Sequence, residues 1–317
     1  MKLAAKLFIL LVIVLVVFVA TTLWKARANE TRAEAEYPPE GQIISVDEVN
    51  VHAVVRGEGP DLVLIHGSSG SARDFTFALL DRLAKDHRVI VMDRPGLGYT
   101  DAIEDATLDR QAALLQKAAA QLGAEKPIVL GQSYGGSVAL AWAVNHPDNL
   151  SALVALATPS LPWTSGLSTF YKTLSHPVLG PVAAPLLTAW VSNERVTNEV
   201  ESVFAPQAAP EGYADHFGPG LTLRRASLRA NALQRAGLLD EITALSQRYG
   251  EITVPTELVH GDADTTVGLE IHSRPLSAQM ELANLTPLPG IGHMPHHSAV
   301  DDIIAAVHRA AERAALH

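Results

Sequence analysis

A glycine-flanked serine is the residue of this sequence best placed to do chemistry. Residues 128–136 read IVLGQSYGG, so Ser133 lies between Gly131 and Gly135 in a Gly-x-Ser-x-Gly pattern. An apolar run precedes the serine and a helix-forming run follows it, which indicates a sharp turn that presents the hydroxyl as a nucleophile. Glycines are expected on both sides because a Cβ atom there would clash with the neighbouring strand and helix. The pattern alone also fits an ordinary turn, so its chemistry depends on partners elsewhere in the chain.

The partners that such a serine needs are a base and a carboxylate that orients the base. His293 ends the sequence Gly-Ile-Gly-His after the last predicted strand and is the candidate base. Asp264 follows the preceding strand and is the candidate orienting carboxylate, with Asp262 as its alternative. Serine, acid and histidine follow one another along the chain in an order that is known for this set of groups.

Two backbone N–H groups are also needed to stabilise the negative charge that develops on a substrate oxygen. Tyr134 directly follows the serine and supplies one N–H at the start of the predicted helix, where the helix dipole favours negative charge. Ser68, in the sequence His-Gly-Ser-Ser-Gly at residues 66–70, is the candidate for the second.

The elements that must carry these residues alternate between short apolar strands and helices. We predict strands at residues 42–45, 49–55, 61–65, 89–92, from Ile128 onward, 152–157, 256–259 and 284–288, and helices near 73–85, 108–122, 232–245, 270–282 and 299–314. This alternation predicts an α/β domain with a mostly parallel sheet. Each candidate residue follows a strand, so all of them are expected at the same edge of the sheet.

Residues 161–231 interrupt the alternation and contain no predicted strand. Seven of the 17 aromatic residues fall here, namely Trp163, Phe170, Tyr171, Trp190, Phe204, Tyr213 and Phe217. We predict a helical cap over a core of residues 42–160 and 232–317, with some aromatic side chains facing an apolar substrate and the others packing the cap itself. Arg224, Arg225 and Arg229 either bind a substrate carboxylate or form a solvated helix face.

The N-terminus differs in composition from the rest of the chain. A short flank at residues 1–6 precedes an apolar run at 7–24, which is long enough to span a membrane as a helix. A cleavable signal peptide is the alternative, although Lys25 and Arg27 lie where a cleavage region is normally uncharged. We expect an uncleaved single-pass anchor, a polar stalk at residues 25–41, and a catalytic domain outside the cytoplasm.

Overall composition excludes several classes of partner and chemistry. The net charge of −10 argues against a nucleic-acid partner, and the absence of cysteine excludes disulfides and thiol catalysis. His293, His296 and His297 cluster near the C-terminus, but no neighbouring carboxylate or cysteine completes a metal site in the sequence. We therefore expect no metal and no cofactor.

With five motifs in this order, the chain from residue 42 onward resembles the α/β-hydrolase superfamily. The sequence at 66–70 resembles the family's oxyanion loop, and Asp-Arg-Pro-Gly-Leu-Gly at 93–98 resembles its loop after the fourth strand. Gly-Gln-Ser-Tyr-Gly-Gly resembles its nucleophile turn, Gly-Asp-Ala-Asp its acid loop and Gly-Ile-Gly-His its base loop. The resemblance implies the α/β-hydrolase fold, with a helical cap inserted in it.

The resemblance also implies roles for single residues. The family's Gly-x-x-Asp pattern favours Asp264 over Asp262, and the position after the sixth strand, where some members carry the acid, has no carboxylate here. His66 is implied to brace the oxyanion loop together with Gly67, and Asp93 to brace its own loop. Relatives that open epoxides or displace halide carry an aspartate as nucleophile, so a serine at this position implies acyl transfer instead.

The expected function is that of a serine hydrolase that cleaves a small, hydrophobic carboxylic ester through Ser133, His293 and Asp264. One alternative is a carbon–carbon bond hydrolase or a perhydrolase that uses the same three residues. A second alternative is an inactive hydrolase fold that serves only to bind a ligand. Membrane attachment through residues 7–24 makes lipid-like esters a further hypothesis for the substrate.

Overall fold

A single eight-stranded sheet forms the centre of the computed structural model, which describes residues 2–316. Its strands are β1 (Gln42–Val46), β2 (Val49–Arg56), β3 (Asp61–Ile65), β4 (Arg88–Met92), β5 (Ile128–Gln132), β6 (Ala152–Leu156), β7 (Thr256–Gly261) and β8 (Ala283–Leu288). The strand order is β1-β2-β4-β3-β5-β6-β7-β8. The two pairings of β2 are antiparallel and all others are parallel, which confirms the mostly parallel sheet.

Helices cover both faces of the sheet. They are α1 (Lys2–Glu36), α2 (Arg73–Thr76), α3 (Leu79–Leu83), α4 (Leu108–Gln121), α5 (Tyr134–Asn145), α6 (Thr169–Ser175), α7 (Leu179–Trp190), α8 (Asn193–Ser202), α9 (Tyr213–Phe217), α10 (Pro219–Thr222), α11 (Arg225–Leu245), α12 (Ser273–Gln279), α13 (Pro295–Ser298) and α14 (Val300–Arg313). Successive strand residues point to opposite faces, so Val63 packs in the core under α4 and α5, whereas Leu64 packs under α3 and α14.

The helix predicted at residues 73–85 is divided in the structure. The backbone leaves helical geometry at Ala78, where φ is −150°. The ring of Phe77 packs against Tyr213 of the cap, with 5.3 Å between the ring centroids. Packing against the cap therefore overrides the helical pattern at this point.

The cap lies between β6 and β7 and contains α6 to α10 together with the start of α11. The predicted boundary at residue 232 falls inside α11, which begins at Arg225. Leu228 and Ala232 pack in a cluster within the cap, whereas Leu238 and Ile242 pack in the main core. One continuous helix thus joins cap and core, and the sequence pattern revealed only its core half.

The N-terminal helix α1 is a single helix of 35 residues, with a mean hydropathy of 3.1 over its most apolar 18-residue window. A stalk was expected at residues 25–41, but the helix continues to Glu36. Residues 25–36 are rich in alanine, glutamate and arginine, all strong helix formers, and Pro38-Pro39 then prevents further extension.

The second half of α1 packs against the cap instead of standing free. Ala26 and Ala33 are buried, and the Asn29 side chain donates to the carbonyl oxygen of Thr188 over 2.9 Å. Small side chains on this face let the helices approach closely. The segment expected to be a stalk is therefore part of the folded domain.

The three cap arginines all contact other protein groups, and two of them contact α1. Arg225 forms an ion pair with Glu30 at 2.7 Å and Arg224 one with Glu34 at 3.2 Å, while Arg229 donates to the carbonyl oxygen of His176. Burial would raise the pKa of Glu30, but the hydrogen bonds from Arg225 lower it overall. Arg224 and Arg225 thus hold α1 on the cap.

Candidate active site

Ser133 lies at the turn between β5 and α5 in strained backbone geometry. Its φ of 51° and ψ of −122° fall in a region that side-chain-bearing residues rarely occupy. A Cβ atom at Gly131 would collide with the backbone of Gly135, and one at Gly135 would collide with the carbonyl oxygen of Ile65 in β3. The two glycines therefore permit the tight contact of β5, α5 and β3 that holds the serine at the sheet edge.

Ser133, His293 and Asp264 form a hydrogen-bonded chain. The distance from Ser133 Oγ to His293 Nε2 is 3.0 Å, and that from His293 Nδ1 to Asp264 Oδ2 is 2.7 Å. A carboxylate only accepts hydrogen bonds, so Nδ1 carries the imidazole proton and Nε2 is free to accept from the serine hydroxyl. The side chains come from loops after β5, β8 and β7, at one edge of the sheet.

Asp264 is held as a carboxylate by its neighbours. Its Oδ1 accepts hydrogen bonds from the backbone N–H groups of Thr266 and Val267, both at 2.8 Å. Burial would raise the pKa of Asp264, but hydrogen bonds from His260 and His293 hold the pKa well below its usual value. The group is therefore ionised and oriented toward His293.

Asp262, the alternative acid, lies elsewhere. It is exposed and accepts a hydrogen bond of 2.6 Å from the N–H of Gly290. Asp262 thus supports the turn that leads to His293, while Asp264 contacts the imidazole itself.

The candidate oxyanion donors lie on either side of the serine. Tyr134 begins α5, and the loop of Ser68 lies so close that a Cβ atom at Gly67 would be 3.2 Å from Ser133 Cβ. Within residues 2–316, the backbone N–H groups of Ser68 and Tyr134 donate to no protein atom. Free N–H groups at a helix start and an adjacent loop are suited to bind an anion.

His66 and Arg94 together hold this loop. His66 Nδ1 donates to the carbonyl oxygen of Gly67 and Nε2 accepts from the N–H of Arg94, each at 2.9 Å. Burial lowers the pKa of His66 to about 4, so the ring is neutral. The Arg94 guanidinium is fully buried, donates to the carbonyl oxygens of His66 and Gly67, and lies 4.2 Å from the centre of the Tyr134 ring.

The roles of Arg94 and Gln132 were not predicted from the sequence. Arg94 lies within the motif at 93–98, but nothing in that motif shows that its side chain reaches the oxyanion loop. Gln132 directly precedes the serine, and its side-chain amide donates to the carbonyl oxygen of His293 over 3.2 Å. Its position inside the Gly-x-Ser-x-Gly pattern was the available signal.

A second group of histidines lies just beyond His293. Asp74 of α2 contacts His296 at 3.1 Å, His297 at 2.9 Å and the hydroxyl of Tyr213 at 2.6 Å, and we call these four residues the Asp74 cluster. No carboxylate was expected near these histidines from the sequence alone. That was wrong, because Asp74 is distant in sequence and is brought to them by the fold.

The Asp74 cluster is also where the described residues could hold a metal ion, since donor atoms of Asp74, His296 and His297 lie within 4.8 Å of one another. Metal-bound imidazoles normally donate their second N–H to an acceptor. Here Nδ1 of both histidines is buried without a partner. A neutral histidine that donates from Nε2 leaves only a lone pair at Nδ1, so hydrogen bonding to Asp74 explains the geometry better than a metal.

Comparisons with known proteins agree with this architecture. The family model described as alpha/beta hydrolase fold matches residues 60–299. The pimeloyl-[acyl-carrier protein] methyl ester esterase of Vibrio atlanticus is 31% identical over 68% of this chain and 81% of its own length. The 2-hydroxymuconate semialdehyde hydrolase of a Pseudomonas strain is 35% identical over 35% of this chain and 41% of its own.

Two further matches differ in extent. The polyketide synthase ThaQ of Burkholderia thailandensis is 29% identical over 79% of this chain, but the chain spans only 12% of that protein. A solved membrane phospholipase A, described as a bacterial virulence factor, has a TM-score of 0.64 and 19% identity, and covers 96% of this chain and 99% of its own. At that identity the likeness shows the fold alone.

The family model covers most of the chain, and the mostly parallel eight-stranded sheet flanked by helices agrees with its fold. The chain therefore belongs to the alpha/beta hydrolase fold family and is a hydrolase of that fold.

Proposed function

We propose that this protein is a membrane-anchored serine hydrolase that cleaves carboxylic esters with apolar acyl or aryl groups. The observation that carries the proposal is the hydrogen-bonded chain from Ser133 Oγ through His293 to Asp264. A hydroxyl is a weak nucleophile at neutral pH, and a neighbouring imidazole whose far nitrogen is fixed by a carboxylate supplies the required base.

The first half of the reaction forms an acyl-enzyme. Ser133 Oγ attacks the ester carbonyl carbon while its proton passes to His293 Nε2. The N–H groups of Ser68 and Tyr134 stabilise the oxyanion of the tetrahedral intermediate. Its collapse breaks the bond to the alcohol oxygen, which takes the proton from His293 and leaves.

The second half releases the acid. His293 Nε2 takes a proton from water, whose oxygen attacks the acyl carbonyl carbon. The same N–H groups stabilise the second intermediate, and its collapse returns the proton to Ser133 Oγ. Asp264 stays ionised throughout and stabilises the protonated imidazole, so the cycle needs only side chains and water.

An apolar substrate is supported by the residues around the base. Met294, next to His293, packs with Phe204, Tyr213 and Phe217 of the cap. The part of the cap that packs on the base loop is therefore apolar, which favours an acyl or aryl substrate over a sugar. Membrane attachment through residues 7–24, with the domain outside the cytoplasm, would bring such a chain within reach.

A second candidate is carbon–carbon bond hydrolysis on the same three residues. The match to a 2-hydroxymuconate semialdehyde hydrolase favours it, whereas the esterase match favours the first. An inactive binding protein is disfavoured by the intact hydrogen-bonded chain, since loss of one of its members is the usual route to inactivity.

A substrate panel separates these candidates. The purified full-length chain is assayed in detergent with p-nitrophenyl esters of increasing acyl length, a dienone acid, and an ester with hydrogen peroxide as acceptor. Ester hydrolysis that is lost in Ser133→Ala is the expected result. Turnover of the dienone acid or peroxide reaction without ester hydrolysis would overturn the ester assignment.

A further inference from the structure

Helix α7 of the cap exposes an unusual apolar face. It contains no charged residue, although the protein as a whole has a net charge of −10. Val178, the residue directly before the helix, and Val182, Leu186 and Trp190 within it recur at every fourth position and are 36–67% exposed. Residues four apart share one face of a helix, so these side chains form one continuous row. We call this row the α7 face.

One end of the α7 face is fixed against the apolar half of α1. The Trp190 ring stacks on Phe18 with 6.1 Å between centroids, and its Nε1 donates to Thr22 Oγ1 over 3.1 Å. The Lys25 ammonium group lies 4.1 Å from the centre of the same ring. Trp190 therefore spans the end of the apolar run, from its interior to its first flanking charge.

This contact sets the depth of Trp190 relative to a membrane. Phe18 precedes Trp24 by six positions, which corresponds to about 9 Å along a helix. If residues 7–24 span the bilayer, Trp190 lies where the hydrocarbon region meets the headgroups. Tryptophan is enriched at that depth because its ring is apolar and its N–H is polar.

We propose that the α7 face is a second membrane contact, which lies in the bilayer interface beside α1. The inference rests on the membrane placement of residues 7–24 proposed above and not on the hydrolase chemistry. A row of this kind is costly to leave in water, and large exposed apolar patches usually mark a binding surface. Trp190 contacts α1, so the bilayer around α1 would contact the α7 face first at Trp190 and then along the rest of the row.

A groove next to the α7 face could accommodate part of a lipid molecule. A cavity of about 290 Å³ lies between α6 and α7, lined by apolar side chains such as Phe170, Leu174 and Leu187. Leu186 belongs to both the α7 face and this groove, so the two are continuous. An acyl chain of a bilayer lipid fits such a lining, which offers no charged group.

The chain contains no cysteine, so a single introduced cysteine is the only position that a thiol-reactive label modifies. The α7 face can therefore be tested directly by site-specific labelling. The full-length chain is placed in phosphatidylcholine vesicles with a nitroxide label at Val182→Cys or Leu186→Cys. Collision of the label with oxygen, which concentrates in lipid, is compared with collision with a water-soluble nickel chelate. Leu11→Cys is the lipid reference, and Leu282→Cys is the water reference, since it is exposed and precedes β8 at the sheet edge opposite the cap.

For each label, the measured quantity is the ratio of its collision rate with oxygen to its collision rate with the chelate. The proposal predicts that this ratio is several-fold higher for labels at positions 182 and 186 than for the label at 282. Labels at 182 and 186 that match the label at 282, while the label at 11 reports lipid, would overturn the cap contact alone. A label at 11 that reports water would overturn the membrane placement as well. Strong spin–spin coupling between labels at 182 would show that a second copy covers the face, and would also refute the proposal. Ester hydrolysis is measured on the same samples, so failure of the catalytic proposal is seen separately.

Discussion

Two histidine–carboxylate groups in this chain have histidines that lie within four residues of each other, and the groups differ in what contacts the second ring nitrogen of the histidine. His293 donates to Asp264 from Nδ1, and its Nε2 faces the hydroxyl of Ser133. His296 contacts Asp74 through Nε2, and its Nδ1 is buried against no polar partner. The pair of His293 and Asp264 can therefore act as a base for a nucleophile. Within the part of the chain that the structure describes, the pair of His296 and Asp74 contacts no reactive group and is structural.

The carboxylates alone would not reveal this difference. In both cases burial would raise the carboxyl pKa, and contacts with two histidines instead hold that pKa well below its ordinary value. A perturbed carboxyl pKa thus identifies a tightly held anion but not a catalytic one. What decides the role is a reactive group in reach of the imidazole's second nitrogen.

The largest expected effect comes from replacing each of the two histidines, His293 and His296, in a separate variant. His293→Gln removes the proposed base and is expected to lower ester turnover by roughly 10⁴-fold or more. His296→Gln retains an N–H that can reach Asp74 and is expected to change turnover less than about tenfold, since it contacts no reacting atom. Steady-state kinetics on both variants test this, and comparable losses would show that the two groups are not functionally distinct.

The two carboxylates provide the next comparison. Asp264→Asn is expected to lower turnover by roughly 10⁴-fold with the fold intact, because the imidazole loses its orientation. Asp74→Asn replaces a buried anion that three side chains contact and is expected to reduce the free energy of unfolding by about 2–4 kcal/mol. Urea unfolding in detergent and turnover of the folded fraction measure both effects. A stability loss at Asp264 larger than that at Asp74 would reverse the interpretation.

A smaller effect concerns the pH dependence of stability, to which His297 of the Asp74 cluster contributes. Burial, with a contribution from His296, lowers the pKa of His297 to about 4, and burial also lowers the pKa of His66 and His272 to about 4. Unfolded histidine binds a proton below about pH 6.5. Between these values only the unfolded chain takes up the protons, so stability is fully present above about pH 6.5 and falls as the pH is lowered toward 4.

Each such histidine contributes a slope of about 1.4 kcal/mol per pH unit within this window. Replacing His297 with Gln should flatten the measured dependence of unfolding free energy on pH by about that amount. Ser133→Ala leaves all three histidines in place and serves as the control with an unchanged slope. An equal slope in the His297 variant would mean that this histidine titrates normally in the folded state.

The sequence was sufficient for the sheet because short apolar strands and motif spacing are local signals. Residues 61–65 and 152–157 were predicted as buried strands, and the structure has β3 and β6 there. The candidate serine, acid and base were predicted on the same kind of signal, since each follows a strand end that periodicity locates. Their catalytic roles stay predictions.

Contacts between distant segments were not predictable in this way. Asp74 meets His296 and His297 across more than 200 positions, so a reading of neighbours in sequence missed its carboxylate. The helical continuation of α1 was missed because polar composition was taken as a linker, although its alanines pack on the cap. The buried Arg94 was missed because charged residues are rarely placed in a core without a carboxylate partner.

The central claim is that Ser133 is an activated nucleophile, and covalent labelling tests it most directly. The full-length protein in detergent is treated with a fluorophosphonate probe, and the modified residue is identified by mass spectrometry. We predict one modified site at Ser133, with labelling abolished in Ser133→Ala and in His293→Gln but retained in His296→Gln. Labelling that persists in Ser133→Ala, or that is absent from well-folded wild-type protein, would contradict the account.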